Sequence, residues 1–454
     1  MKSRIISMAA LLLATLSATA QSTYDLNAPF GFCTRSSRTD ASQTYDMTGG
    51  GCYTYPIPDG FTGRVVTLTS KGEGVDMKAD IQNGIKNSEV LILDGSNGDF
   101  YVSSNVGNVF SNRTIIGINN ARICTTWHVT DEIKAALDAA GVPGMSTSSG
   151  GGTLPNGQYV SEEAEYNTRK IIMQMTGDNT EKYRNSGILT FNGCQNIIIR
   201  NITFVGPGSI DVGGSDLISS LNSANHIWVD HCAFTDGMDG NFDITQSADF
   251  HTVSWCTFSY TDRSYMHQNT NLIGSSDSEA TGFLNTTFAF NWWGEGCKQR
   301  MPMARVGKLH MLNNYFTSTT AGNCINPRKN SEFLIEGNYI AEGVKHYYGE
   351  SSSKAVTWKS DNYIAEGSIP SSKGSTVKVP YDYTVAPYSD VPETVKQYAG
   401  ATLFTETPSE IQSLDNMTPS SIDPNTPIYN LAGQRVDKNY KGIVIKNGKK
   451  IFIK

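Results

Sequence analysis

Charge is scarce in this chain. Only 17% of its 454 residues are Asp, Glu, Lys or Arg, and the 36 basic against 43 acidic residues leave a net charge of −7. A nucleic-acid partner is therefore excluded as an expectation, because gripping phosphates needs a basic surface. Long apolar runs are absent beyond the stretch Ile5 to Leu16, so no membrane span is expected. None of the eight cysteines has C-x-x-C spacing, which argues against a zinc or thiol-redox centre. What the chain does have is 43 Gly, 21 Tyr and 18 Phe, a profile that suits a β-rich protein.

Lys2 and Arg4, the apolar run, and the small residues Ala18-Thr19-Ala20 predict an export signal over residues 1–20, hence a secreted protein found outside the cell, on its surface or in the periplasm. In an exported chain the cysteines can pair. Cys33 and Cys52 bracket a polar, Gly-rich loop and make the most natural bridge. Cys232 and Cys256 occupy the same place in neighbouring repeats and so stack or bond. A staple or a buried thiol is the reading for all eight.

The middle of the chain repeats. Six segments, at 197–204, 226–234, 252–258, 288–293, 310–316 and 334–340, carry alternating apolar residues that run into an aromatic or aliphatic end, at steps of roughly 23 to 35 residues. Each reads as a short strand that cannot bury its apolar face alone, and stacking them makes a continuous interior. Asn201, Asn291, Asn313 or Asn314, and Asn338 fall at matching positions, where stacked amides can bond between rungs. The reading is an all-β solenoid, a parallel β-helix over residues 21–400, with earlier strands at Val90–Val109 and Arg113–Ile118. An insertion lies at about 122–186, containing a helix over Asp131–Ala140 and a Ser/Gly-rich loop over Ser146–Gly157 that overhangs a groove. A linker (401–427) and a small strand-rich module (428–454) with an Asn447-Gly448 hairpin signal follow; this module resembles the short C-terminal tags of exported Bacteroidetes proteins.

Three features carry chemistry. Asp216 ends the turn Gly213-Gly214-Ser215-Asp216, and Asp239 and Asp243 flank Gly240, which lets the chain bend so that both can meet at one point. Oxygen ligands of this kind suit calcium, while Asp-Gly-Asn stretches are also ordinary turns. Lys298, Arg300, Arg305 and Lys308 form a basic cluster in an acidic chain, either a solvated charge run or a channel for a polyanion. Asp230 and His231 are adjacent on a strand, point to opposite faces, and are read as structural.

Trp228-Val229-Asp230-His231, Val253-Ser254-Trp255-Cys256-Thr257-Phe258, Arg300-x-Pro-x-x-Arg305-x-Gly307, His310 and Asn313-Asn314-Tyr315-Phe316, in that order, resemble the polysaccharide lyase family 1 pectate lyases. The resemblance implies a right-handed parallel β-helix, a monomer that cleaves polygalacturonate (pectate) by Ca2+-dependent β-elimination. It implies Arg300 as the catalytic base, Asp216, Asp239 and Asp243 as calcium ligands, and Arg305, Arg263 and Lys298 against the substrate. Gly214 stands where the family often has a further acidic ligand. The alternatives are a pectin lyase acting on methylated substrate, a β-helical galacturonan hydrolase using Asp239 and Asp243 as acid and base, and a non-enzymatic carbohydrate-binding β-helix.

Overall fold

The computed structural model describes residues 28–107, 109–179, 186–210 and 214–404, together with strands at 428–430, 435–436, 442–446 and 449–453. The export signal, most of the linker and the Asn447-Gly448 turn lie outside them. Two compact units are present, Met1–Leu403 and Phe404–Lys454.

The first unit is a right-handed parallel β-helix. Its described residues form parallel sheets of ten, nine and six strands. The ten-stranded sheet begins at Val65–Thr69 and ends at Ala355–Trp358; the nine-stranded sheet runs from Phe100–Val102 to Tyr363–Ile364. Register is strict: Trp228 pairs with Ile198 on one side and Thr252 on the other.

The repeats are not single strands. Each is broken by one residue in left-handed conformation, at Asn201 (φ 60°), His231 (47°), Trp255 (53°), Phe290 (56°), Asn313 (51°) and Gly337 (65°). The chain bends there and enters the next sheet, so Asn225–Asp230 and Ala233–Thr235 belong to different sheets. Left-handed backbone costs a residue with a Cβ roughly 1–2 kcal/mol. Ring stacking offsets this where Trp255 lies on Phe290, centroids 4.3 Å apart, and beside His231 at 5.7 Å.

Inside the coil Phe204, Phe234, Phe258, Trp293 and Phe316 stack in one file, with successive centroids 5.1, 5.1, 5.4 and 4.9 Å apart. The asparagine ladder consists of Asn291, Asn314, Asn338 and Asn362. Each Nδ2 donates to the next Oδ1, at 3.1, 2.9 and 2.9 Å. Asn201 and Asn313 stand one position earlier, at the bend, and bond Gly117 and Gly337 carbonyls instead. Asn314 Oδ1 also accepts the Asn291 backbone N–H at 2.9 Å. Asn314→Ala therefore strands buried donors, and chemical denaturation is expected to register a loss of about 3 kcal/mol. A loss under about 0.5 kcal/mol, the size of an ordinary surface change, would contradict the ladder's role.

All eight cysteines are free and buried. The expected Cys33–Cys52 bridge is not formed. Cys33 Sγ donates to the Phe30 carbonyl (3.2 Å), and burial pushes its thiol up to about 12, while Cys52 Sγ faces Thr54. Cys232 and Cys256 stack without bonding, donating to the Asp230 and Ser254 carbonyls (3.3 Å each). Neighbouring rungs stand ~4.8 Å apart, wider than the ~3.8 Å Cβ separation of a disulfide.

Arg122–Thr125 pairs within the nine-stranded sheet, so the insertion starts after it rather than at 122. Its first helix spans Asp131–Ala139, capped by the Thr130 hydroxyl, with Gly141 left-handed (φ 68°) beyond its end. Part of the expected Ser/Gly loop is instead a hairpin strand, Gly150–Thr153 against Tyr159–Glu162, followed by a helix at Glu163–Thr176. The insertion's apolar underside (Ile133, Leu137, Ile172) rests on Ile210, Met238, Tyr265 and Met266, which lie on loops of three successive rungs. In the second unit the four strands pair antiparallel, with Lys446 opposite Lys449.

Candidate active site

The six-stranded sheet has the fewest strands of the three in the coil and carries the candidate site residues. Its strands are Leu189–Asn192, Ile218–Leu221, Phe242–Ile244, Leu272–Ile273, Met303–Ala304 and Asn326–Pro327. Asp216 precedes the second strand and Asp243 lies in the third, opposite Ser219. Gly240 is what lets the two acids meet. A Cβ there would stand 2.7 Å from Asp216 Oδ1 and 3.0 Å from Asp243 Oδ1.

Asp243 is buried, and Asp216 is half-buried with its Oδ1 sealed from solvent. Asp216 Oδ2 accepts the Ser219 hydroxyl (2.8 Å), but its Oδ1 has no hydrogen-bond partner. Burial and then Asp239 raise the Asp216 pKa to about 7. Burial and then Asp216 push Asp243 well above the ordinary carboxyl range, against Arg300 and the Leu272 amide. Two dry, mutually repelling carboxyls with an orphaned oxygen are a donor set that suits a hard divalent cation. Asp239 is placed differently: its Oδ1 takes His267 Nε2 at 2.9 Å. Burial alone would raise its pKa, but the bond to His267 and the charges of His267 and Arg300 hold it below the usual value. Among the described residues no group of three or more His, Cys, Asp or Glu is gathered as a metal cluster. Gly214 also has a physical reason, since a Cβ would lie 2.5 Å from Met238 Sδ, under the insertion.

Arg300 has φ 61°, and its carbonyl is pinned by the Asn271 N–H (2.7 Å) and the Thr270 hydroxyl. Strained backbone of this kind persists only where neighbours hold it, and it gathers at working sites. The Arg300 charge lowers the pKa values of Asp216, Asp239 and Asp243, so it stands within electrostatic reach of the acidic group. Arg305 follows the next strand, its Nη1 on the Gly274 carbonyl (2.8 Å) and its Nε 3.3 Å from Asp277. Burial and then Arg300 lower its pKa, with Asp277 opposing.

The other basic residues divide. Lys298 lies two residues before Arg300 and lines the same cavity. Arg263 is not brought to the acidic group by any hydrogen bond: its Nη1 donates to the Gly206 carbonyl at 3.1 Å, on an earlier rung. Lys308 leaves the expected cluster altogether. It starts a strand of the ten-stranded sheet and its Nζ caps the Arg38 and Lys378 carbonyls (3.2 and 3.0 Å).

Two residues escaped sequence reasoning. His267 reaches Asp239 from a loop whose sequence has no motif. Arg328 follows Pro327, which pairs with Ala304, so it stacks one rung beyond Arg305, whose pKa it helps to lower. Only rung register places it there. Asp230 and His231 are in contact, Nδ1 to Oδ2 at 2.7 Å, because His231 is the left-handed bend residue. They are read as structural: they are buried with Arg200, whose Nη1 donates to the Tyr53 carbonyl of the N-terminal segment (2.8 Å).

A family model described as "Pectate lyase" matches residues 144–414. Pectate lyase A of Aspergillus niger is 32% identical over 219 residues, 46% of this chain and 63% of that protein, so the chain spans less than two thirds of this relative's length. A pectate trisaccharide-lyase of Thermotoga sp. is 38% identical over 159 residues, 33% of this chain and 41% of its own. Among solved structures, a pectate lyase from Bacillus sp. N165 in complex with trigalacturonate superposes with TM-score 0.50 at 18% identity, covering 82% of this chain and 98% of its own, a likeness of fold.

Proposed function

Because this chain belongs to the pectate lyase family, we propose that it is a calcium-dependent pectate lyase, cleaving α-1,4-galacturonan by β-elimination to 4,5-unsaturated oligogalacturonides. The observation that supports this reading is Arg300, held in strained backbone within electrostatic reach of Asp216 and Asp243, whose carboxyls meet at Gly240. A hydrolase would need one carboxylic acid and one carboxylate set to flank a bond. Here Asp239 is engaged by His267 and two arginines crowd the same sheet.

Asp216 and Asp243, with Asp239 beside them, would hold the calcium. When bound, the ion neutralises the substrate carboxylate and the charge that grows on it. Arg305, Arg328 and Lys298 supply local positive charge to a polyanion that the net charge of −7 would otherwise repel. The C5 proton of galacturonate lies α to that carboxylate. Arg300, as the base, takes this proton at a guanidine nitrogen, the C5–H electron pair becomes the C4=C5 double bond, and the C4–O4 bond breaks, with O4 protonated by water. The elimination needs a base free to accept a proton, so turnover is expected to rise into the alkaline range.

Unsaturated-product absorbance on polygalacturonate tests this. Chelator is expected to abolish the signal and added calcium to restore it; full activity in chelator would remove calcium from the account. The acidic pair favours demethylated polymer, and highly methylated pectin is expected to be the poorer substrate. The leader-like residues 1–20 fit export toward a polymer too large to enter a cell. Among the described residues no helix is long and apolar enough to cross a membrane.

A further inference from the structure

The second unit differs in charge from everything before it. Residues 428–454 hold seven Lys and Arg and one acidic residue, Asp437, a net of +6 in a chain whose total is −7; residues 1–427 therefore carry −13. The boundary is sharp, since the preceding stretch 405–427 has four acidic residues and no basic one. The strands lie in the order Arg435–Val436, Ile428–Asn430, Gly442–Lys446 and Lys449–Ile453. Register sets Arg435 opposite Tyr429, Tyr429 opposite Ile445 and Ile445 opposite Lys450. Directly opposed residues share a face. A row with a cation at each end and a tyrosine within it therefore crosses the sheet, about 14 Å long at ~4.8 Å per strand. Arg435 is exposed. Lys446 stands opposite Lys449, and like charges directly opposed destabilise a strand pair. A bound anion offsets that repulsion.

Spaced cations with an aromatic residue among them suit a polymer that carries repeated carboxylates on sugar rings. Arginine's fork takes a carboxylate bidentately, and tyrosine offers a flat apolar face with a polar tip. An anionic lipid surface would satisfy the lysines equally, but the rest of the chain favours the polymer. Residues 1–427 are acidic as a whole and include the pectate lyase match. A polyuronate that they repel gains a foothold on the one unit of opposite sign. We propose that the C-terminal unit is a polyuronate-binding module that grips demethylated galacturonan independently of the six-stranded sheet. By holding polymer on the same chain, it raises the concentration of substrate that the catalytic unit meets. The choice of polymer rests on the lyase reading; the cationic character of the unit does not.

The test is calorimetric titration of the full chain with polygalacturonate in chelator, which keeps calcium from bridging protein and polymer. Arg435→Gln combined with Lys446→Gln, Lys449→Gln and Lys450→Gln removes four of the seven cations and is expected to weaken binding about tenfold or more. Arginine at the three lysine positions (Lys446→Arg, Lys449→Arg, Lys450→Arg) keeps the charge and is expected to bind within twofold of the wild type, which separates lost charge from a lost fold. Wild-type binding is expected to fall as salt rises from about 0.1 M to about 1 M, where the screening length shrinks from ~10 Å to ~3 Å. With calcium restored, the glutamine variant is expected to keep the wild-type kcat on polygalacturonate with a several-fold higher KM. Three results overturn the module: glutamine-variant affinity within twofold of the wild type, equal losses in the glutamine and arginine variants, or tighter binding to phosphatidylglycerol vesicles than to polygalacturonate. Salt-sensitive binding that only the glutamine variant weakens, with no unsaturated product from the wild type, would keep the module and discard the lyase reading.

Discussion

Arg300→Ala is expected to lower kcat on polygalacturonate by about a thousandfold or more, the scale associated with losing a positioned proton-transfer group together with a charge aimed at the reacting centre. The side chain is half-exposed and its structural ties run through its backbone, from Asn271 and Thr270 to the carbonyl. Folding should survive, because alanine keeps that carbonyl. Its left-handed φ of 61° is strained for alanine as for arginine. Arg300→Lys separates charge from geometry. It keeps a cation near Asp216 and Asp243 but not the planar fork, and is expected to retain calcium binding while losing most turnover. Near-normal kcat in Arg300→Ala would remove Arg300 from the chemistry and leave Arg305 and Arg328 as the next groups to examine.

The largest stability effect is expected at Asp230. Its carboxylate accepts Arg200 Nε (2.9 Å), His231 Nδ1 (2.7 Å) and the Ser254 hydroxyl (2.6 Å), and Arg200 and His231 are fully buried. Arg200 also lies 4.9 Å from the ring centroid of Trp228. Asp230→Ala removes the counter-charge and leaves a buried guanidinium, which costs about 3–5 kcal/mol. Replacing both partners, Asp230→Leu with Arg200→Leu, is expected to recover most of that loss, since the penalty comes from the stranded charge. Acid behaviour follows the same group. Burial raises the Asp230 pKa, but His231, Arg200 and Ser254 outweigh it and hold it below the usual value. A depressed folded pKa gives stability that is complete above the unfolded value of about 3.9 and lost as pH falls through the folded one. The Asp230→Ala variant should therefore lose less stability than the wild type on acidification below about pH 4.

The coil was legible because its two longer sheets repeat one pattern six times, and solenoid strands share their environment from rung to rung. The site-bearing sheet was not. Strands as short as Leu272–Ile273 and Met303–Ala304 show no periodicity, and they exist because their neighbours already hold the register. The same reason hid Arg328 and His267, whose positions depend on stacking between residues far apart in sequence. Lys308 was misassigned because Gly307 (φ 96°) turns the chain into another sheet between it and Arg305. The adjacency of Asp230 and His231 misled in the same way: alternation holds along a strand, and His231 is where the strand ends. Asp216, Asp243 and Arg300 stood out as candidates because Gly-rich turns and an isolated basic motif are conspicuous in a chain with so little charge.

The account stands or falls on bond chemistry. Purified protein should be incubated with polygalacturonate and calcium at alkaline pH, and the products followed by ultraviolet absorbance and mass spectrometry. The expected products absorb as C4=C5 unsaturated uronides and are lighter by one water than hydrolytic fragments of equal length. Saturated fragments, with new reducing ends but no absorbance, would contradict it and assign the site to a hydrolase.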